Sequence, residues 1–341
     1  MVRKSIMTMN RRMLLALSLL ITASLLLASC SQGSKRGDGK NLPASTGQPY
    51  EVLLEGDTLG IVKEMLTEDV DILPQPEPMC DVISVKRGKV RGSYLLMRTR
   101  VVVDIDSCYK GYSFKVSHDE NATPQTIIRI KAPSKYELQD QISARALRDT
   151  IYATEQRHLA SVIKQNPEKQ QLVRRLFGIN IKIPAQLDAS KEGRDFLWLS
   201  NNASRGMQNL IFIRVREPWD LAPPLKVERR QDFTSEYDSR FFEEMKGALD
   251  STLRKNMVGE TDDMYMQLSD FRRLNDKISQ GLWEMKGDAM GGPYRLTRWS
   301  LANGKGTVFI IAFVYAPEMK KRNLMKQLEA VMSTAHRAAD K

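Results

Sequence analysis

The run "GLWEMKGDAMGGPYRLTRW" (Gly281 to Trp299) constrains the fold more than any other stretch of this chain. "GLWEMKG" and "YRLTRWSL" both read as strands, and only "DAMGGP" connects them. So short a link suits neighbouring antiparallel strands, because a parallel pair needs a crossover of a dozen residues or more. Gly291 and Gly292 before Pro293 permit backbone angles that other residues resist, so turn geometry explains the glycines without a ligand. The same sheet end gathers Trp283, Glu284, Asp288, Tyr294, Arg295 and Trp299. That aromatic and polar company suits a glycan or a peptide strand, and these six are the candidate binding residues.

The rest of the chain repeats this grammar. "YEVLLEGD" predicts a strand and "TLGIVKEMLTED" a short helix, while the alternate prolines of "ILPQPEPMC" demand an extended segment. "DVISV" and "GSYLLMRTRVVVDID", joined by "KRGKVRG", predict a hairpin. "YSFKVSH" and "QTIIRIKAP", joined by "DENATP", predict another. A long helix is expected from Ser134 to Lys164, broken at Asn166-Pro167, and a short one closes on Gly178. "INIKIP", "DFLWLSNN" and "NLIFIRVRE" follow as strands. Phe241, Phe242, Met245, Leu249 and Leu253 then mark an amphipathic helix from Glu236 to Met257. "MYMQLS" precedes the opening pair, and an Asn303-Gly304 turn leads into "TVFIIAFVYAP" and a last helix, Glu318 to Ala338.

Pro133 and Pro317 each stand where a strand runs into a helix, in positions a first helical turn tolerates. Duplication of a sheet-plus-helix unit would explain the likeness, and chance similarity of two junctions explains it more simply. Meandering strands with helices at their ends point to an α+β protein rather than a parallel nucleotide-binding sheet. It is read as two units of mainly antiparallel sheet packed with helices, residues 50–166 and 167–341.

The N-terminus sets the address. Arg3, Lys4, Arg11 and Arg12 precede an apolar stretch, Met13 to Leu27, of about fifteen residues, too short to span a bilayer but suited to an export signal. It ends in "LASC", Leu27 to Cys30, which resembles the lipobox of bacterial lipoproteins. The resemblance implies cleavage after residue 29 and a lipid on Cys30, since acyl chains at about 0.8 kcal/mol per buried methylene make a lasting anchor. Loss of residues 1–29 removes four positive charges and no negative one, taking the net charge from +11 to +7. Residues 30–49, rich in Gly, Ser and charge, are expected to be a flexible tether. Lys35, Arg36 and Lys40 give it a basic bias that suits the periplasmic face of an outer membrane. With no recognition motif and the charge spread along the chain, nucleic acid is not the expected partner.

Cys80 and Cys108 are the remaining cysteines, and export would let them form a disulfide. Their bridge would close a loop of about 28 residues, worth about 3 kcal/mol. A simple hairpin register does not place them opposite each other, which favours two separate thiols. His118, His158 and His336 lack partners at metal-ligand spacing, so neither metal nor cofactor is expected. Ser161 to Lys164 is a single Ser-x-x-Lys without the companion motifs of penicillin-binding enzymes. Asp104 and Asp106 share a strand face, as a solvated sheet surface would also place them.

"PQPEPMCDV", "FGINIKIP", "DFLWLSNN" and "LWEMKGDAMGGP" resemble a family of uncharacterised Bacteroidetes lipoproteins, the domain-of-unknown-function family numbered 4837. The resemblance implies no catalytic residue. The expected function is that of a lipid-anchored envelope protein binding another envelope protein, a peptide or a glycan. The alternative is an envelope-polymer hydrolase using carboxylates near loop 284–292, Glu284 and Asp288. Palmitate labelling of cells producing the chain should mark the wild type and not Cys30→Ala. Label retained by the variant would refute the anchor.

Overall fold

The computed structural model describes residues 41–341 except 216–235, 262, 276, 302–305 and 339–341; side chains are described in helix 236–256 only from residue 245. The signal segment, the tether to residue 40, the Asn303-Gly304 turn and the side chains of Phe241 and Phe242 lie outside the described residues. The fold is α+β and mostly antiparallel, and residues 42–341 form one compact unit.

The N-terminal sheet contains β1 (Glu51–Glu55), β2 (Asp81–Val85), β3 (Thr99–Ile105), β4 (Ser113–His118) and β5 (Thr126–Ala132), in the order β2-β1-β3-β5-β4. The hairpin expected from "DVISV" and "RTRVVVDI" does not form. Strands β2 and β3 flank β1 on opposite sides, and both run parallel to it. Strand β5 is parallel to β3, so only the β4–β5 hairpin is antiparallel here. Burial explains the arrangement: β3 is covered on both faces, Val101 and Val103 by the helices and Arg100 and Asp104 on the other side in buried ion pairs, and cover on both faces suits a parallel strand. "KRGKVRG" is therefore part of a crossover that carries residues 86–98 over β1.

Helix α1 (Ile61–Leu66) and helix α3 (Ala144–Ser161) cover one face of this sheet. Val62, Leu66, Leu147 and Ile151 pack there on Val52, Leu54, Val101, Val103, Ile128 and Ile130. The crossover lies on the other face: Gly88 N–H donates to Glu55 Oε1 at 2.8 Å, and Arg87 pairs with Asp104. The long helix expected over Ser134–Lys164 is two helices, α2 (Lys135–Gln141) and α3. Ser134 caps the first through Glu137 N–H, and Ser143 restarts the chain as a second cap through Ala146 N–H. Helix α4 (Pro167–Phe177) has Asn166 as cap, proline in its first turn and Gly178 at φ 67°, as expected.

The C-terminal sheet has seven strands and is antiparallel throughout. Its strands are β7 (Ala189–Gly193), β8 (Phe196–Ser200), β9 (Met207–Val215), β10 (Tyr265–Arg273), β11 (Ile278–Lys286), β12 (Gly291–Ser300) and β13 (Thr307–Tyr315), in the order β10-β11-β12-β13-β9-β8-β7. A short pair, β6 (Ile179–Asn180) with β14 (His336–Arg337), stands apart, so only the start of "INIKIP" is strand. The polar edge strand β7 carried no apolar alternation to predict it. The two sheets differ in topology, which is against a duplicated unit.

Alternation along β13 sends Val308, Ile310, Ala312 and Val314 to one core and Phe309, Ile311 and Phe313 to another. The second core lies under helix α5 (Glu236–Asn256), through Met245, Leu249 and Leu253. The first lies under α4 and helix α6 (Arg322–Ser333), through Met325, Leu328, Val331 and Met332. Helix α6 also packs on α3, and its Ala330 belongs to the core of the N-terminal sheet. It therefore serves both sheets.

Helix α6 begins at Arg322, well past Pro317, because Glu77 sets its start. The Glu77 carboxylate accepts from the Lys321 and Arg322 amides at 2.6 and 3.0 Å. Arg322 Nη1 in turn donates to the Pro78 carbonyl at 2.6 Å. This replaces a side-chain cap that Lys321 cannot supply, and places an anion at the positive end of the helix. Glu77→Ala should destabilise the protein by about 1–3 kcal/mol, since both amides lose a buried partner. Urea unfolding would measure it, and an unchanged midpoint would refute this role of the segment "PQPEPM".

Candidate functional site

The glycine-rich run forms a hairpin whose details are accounted for by packing. A Cβ at Gly281 would collide with the carbonyl oxygen of Asp270, where β10 carries a bulge opposite β11. A Cβ at Gly292 would strike the carbonyl oxygen of Val314 and crowd the indole of Trp283. Pro293 has no N–H to offer its neighbour strand. The indole Nε1 of Trp283 donates to the Val314 carbonyl at 3.2 Å. Trp283 is 3 % exposed, edge-on to Phe313 with centroids 4.9 Å apart. Tyr294 is fully buried beside it, its hydroxyl donating to the Asp270 carbonyl at 3.1 Å.

The six candidate binding residues are thus divided among three surroundings. Trp283 and Tyr294 belong to the core under α5. Glu284 is exposed and accepts from Gln267 Nε2 at 2.5 Å, and exposed Asp288 accepts from the next amide at 2.6 Å. Arg295 and Trp299 point to the opposite face of the sheet, toward α6. Cys80 and Cys108 are not bridged: both are free thiols, the expectation that the sequence favoured. Cys80 is buried and its thiol pushed up to about 12, by burial above all. Exposed Cys108 is raised by its hydrogen bond to Asp106. Asp104 and Asp106 part company too, since Asp104 is buried against Arg87 and Tyr109 while Asp106 is exposed. Cys30 lies outside the described residues.

Arg295 and Trp299 lead to a cavity of about 210 Å³ between the β11–β12 edge, α3 and the end of α6. Strand alternation explains its wall: Arg295, Thr297 and Trp299 follow one another on the same face of β12. Ile278, Met332 and Ala335 add apolar surface, and the ammonium of Lys277 sits 6.0 Å from the Trp299 ring centroid.

The floor of the cavity is ionic. Glu329, 4 % exposed, pairs with Arg295 at 2.8 Å and with Lys326 at 3.0 Å, and accepts from the Tyr152 hydroxyl at 3.0 Å. Burial alone would raise the Glu329 pKa, but Lys326 and Arg295 outweigh it and hold the carboxyl below its ordinary value. Arg295 is raised despite its burial, because Glu329 faces it. Tyr152 is raised by burial and then by Glu329, and stays a neutral donor. Lys326 also lies over the Tyr152 and Tyr50 rings, at 4.9 and 5.7 Å.

The wall differs from the floor. Thr297 Oγ1 and Trp299 Nε1 are buried and have no hydrogen-bond partner among the described residues. Each such group costs about 1–3 kcal/mol if it stays unpaired. Sequence reasoning finds Arg295 and Trp299 but misses Tyr152, Lys326 and Glu329, which come from helices whose polar faces look solvent-facing. The one available signal is charge on the otherwise apolar α6: Lys326 and Glu329 stand three apart, one helical turn.

A wider hollow of about 590 Å³ between α1 and the α2–α3 corner is shallower, and its Arg148 is already bound to the Met65 carbonyl at 2.8 Å and to Glu68. Among the described residues no group of three or more His, Cys, Asp or Glu is placed to hold a metal ion. Among them, too, no helix is long and apolar enough to cross a membrane.

Residues 45–166 match a second family model, Domain of unknown function (DUF8532). No curated protein matches the chain. A solved structure from Bacteroides thetaiotaomicron VPI-5482 is 12% identical, covering 48% of this chain and 46% of that one, so the match spans under half of its length. Its TM-score of 0.23 supports no conclusion about fold or function. Residues 166–334, which hold the C-terminal sheet, α4, α5 and α6, match the model of Domain of unknown function (DUF4837), and through them the chain belongs to that family.

Proposed function

We propose that this protein is a non-enzymatic binding module of the cell envelope, held by a lipid on Cys30 at the periplasmic face of the outer membrane. Its ligand site is the cavity beside Trp299. The observation that carries the reading is the pair of unpartnered polar atoms, Thr297 Oγ1 and Trp299 Nε1, buried in the wall of a cavity. An indole N–H can only donate, so its partner must be an acceptor. Lys277 and the Arg295 end of the floor bias the space toward negative charge, while Trp299, Ile278 and Met332 favour an apolar body. At about 210 Å³ the space is smaller than the 300–1,000 Å³ usual for drug-sized ligands. It fits the end of a larger envelope molecule, or a small one: a carboxylate carried on a short apolar group, as on a peptide terminus or a sugar acid.

A thermal-shift panel of N-acetyl amino acids, sugar acids and short-chain fatty acids at millimolar concentration tests this. A ligand of the cavity should raise the melting temperature of the wild type. Thr297→Val removes one hydrogen bond at constant shape and should weaken that ligand about tenfold, with Trp299→Phe acting alike. If no compound shifts the wild type, or if both variants respond as it does, the cavity holds only water and the reading fails.

A further inference from the structure

Residues 82–103 carry six cationic side chains and no acidic one. Two of the six, Arg98 and Arg100, are buried in ion pairs with Glu155 and Glu55. The other four, Lys86, Arg87, Lys89 and Arg91, are exposed on the crossover between β2 and β3. That crossover runs over the face of the N-terminal sheet that no helix covers. Three acids of this face are paired, Glu55 with Arg100, Asp104 with Arg87, and Glu120 with Arg129 at 2.7 Å, while Glu51 and Asp106 make no ion pair among the described residues. Lys86, Lys89, Arg91 and Lys115, a neighbour on β4, make no ion pair among the described residues. Tyr94, which follows the basic loop, is 40% exposed. Exposed lysines and arginines followed by an exposed tyrosine suit the boundary between anionic headgroups and water.

The chain enters beside the starts of β3 and β5. Thr46 N–H donates to the Leu96 carbonyl at 2.8 Å, and Arg98 N–H donates to the Thr46 carbonyl at 2.9 Å. From Cys30 to Leu42 there are twelve residues, an upper reach of roughly 40 Å if fully extended. A lipid on Cys30 would therefore keep this basic face within reach of the bilayer.

We propose that the crossover on the face of the N-terminal sheet opposite α1 and α3, centred on Lys86, Lys89 and Arg91, docks on the anionic lipid surface of the membrane that holds the anchor. It rests on the anchored reading of the chain and is independent of the cavity. The docked face turns the C-terminal sheet and its cavity away from the membrane, because α1, α3 and α6 separate the two sheets.

The test uses the chain from residue 30 onward with Cys30→Ala, so that no lipid contributes, and vesicles rich in phosphatidylglycerol or made of phosphatidylcholine alone. Cosedimentation should show binding to the anionic vesicles only, lost as salt is raised. Each basic residue near such a surface strengthens binding roughly fivefold, so Lys86→Gln/Lys89→Gln/Arg91→Gln should weaken it on the order of 100-fold. The three side chains are exposed, and an unchanged melting temperature would show that the variant folds. Absent binding, equal binding to neutral vesicles, or full binding by the variant would each overturn the proposal. So would binding to a soluble polyanion without binding to vesicles. Failure of the anchor is a separate result, read from palmitate on Cys30.

Discussion

Helix α6 is the element on which the two sheets agree, and its charged residues determine how. It supplies Met325, Leu328, Val331 and Met332 to the core of the C-terminal sheet and Ala330 to that of the N-terminal one. A helix with apolar surface on two sides has little room for polar groups, yet α6 buries Arg322, Lys326 and Glu329. Each is matched. Arg322 meets the 70–81 segment, Lys326 lies over two tyrosines, and Glu329 meets Arg295 from the C-terminal sheet and Tyr152 from α3. Apolar packing supplies most of the attraction between the layers. Directional pairs between buried charges fix one rotation of the helix, because any other would leave a charge without its partner.

The same logic repeats one layer out. Glu155 on α3 is fully buried and accepts from Arg98 Nε at 3.1 Å, Thr99 Oγ1 at 2.6 Å and the Tyr50 amide at 3.2 Å. Arg98 Nη2 donates to the Gly47 and Gln48 carbonyls at 3.2 and 3.0 Å. Gln156, next along α3, donates to the Tyr50 hydroxyl at 2.9 Å and the Lys326 carbonyl at 3.0 Å. His158 is held low by burial and then by the Arg98 charge, so this region remains neutral at the imidazole. Buried polar groups so placed form a continuous set of contacts from the first strand, through α3, to α6.

What the sequence made legible follows from where the deciding interactions lie. Caps and breaks are local, and Asn166-Pro167, Gly178 and the β11–β12 hairpin were readable because neighbours in sequence settle them. The helix 236–256 was readable from spacing alone. The false hairpin between β2 and β3 failed for the opposite reason. A glycine-bearing basic loop between two apolar runs looks the same whether the strands pair with each other or both pair with β1, and the choice depends on burial of both sheet faces. Ser143 was overlooked as a new helix start because serine in a helical pattern can equally face solvent. The candidate site was half legible: Arg295 and Trp299 were singled out for their company, and the structure shows that alternation separates them from Trp283 and Tyr294. Their true neighbours, Tyr152 and Glu329, are far off in sequence and come together only when α3 and α6 pack.

The glycines of the opening run show how residues that resemble a ligand loop can serve packing. Gly292 has no side chain, so the Trp283 indole can cross β12 and satisfy the Val314 carbonyl, beside a proline that has no N–H to give. Gly281 allows the bulged β10 backbone to approach where any Cβ would be stopped. With that backbone fixed, the alternation of β12 is fixed as well, and Arg295, Thr297 and Trp299 must face α6. Packing on one side of the strand thus presents polar atoms on the other. Arg295 finds Glu329 there, but among the described residues no partner reaches Thr297 Oγ1 or Trp299 Nε1. A strand whose inner face is so tightly specified leaves two buried polar groups on residues that line the cavity, each an exception to the rule that buried polar groups are paired.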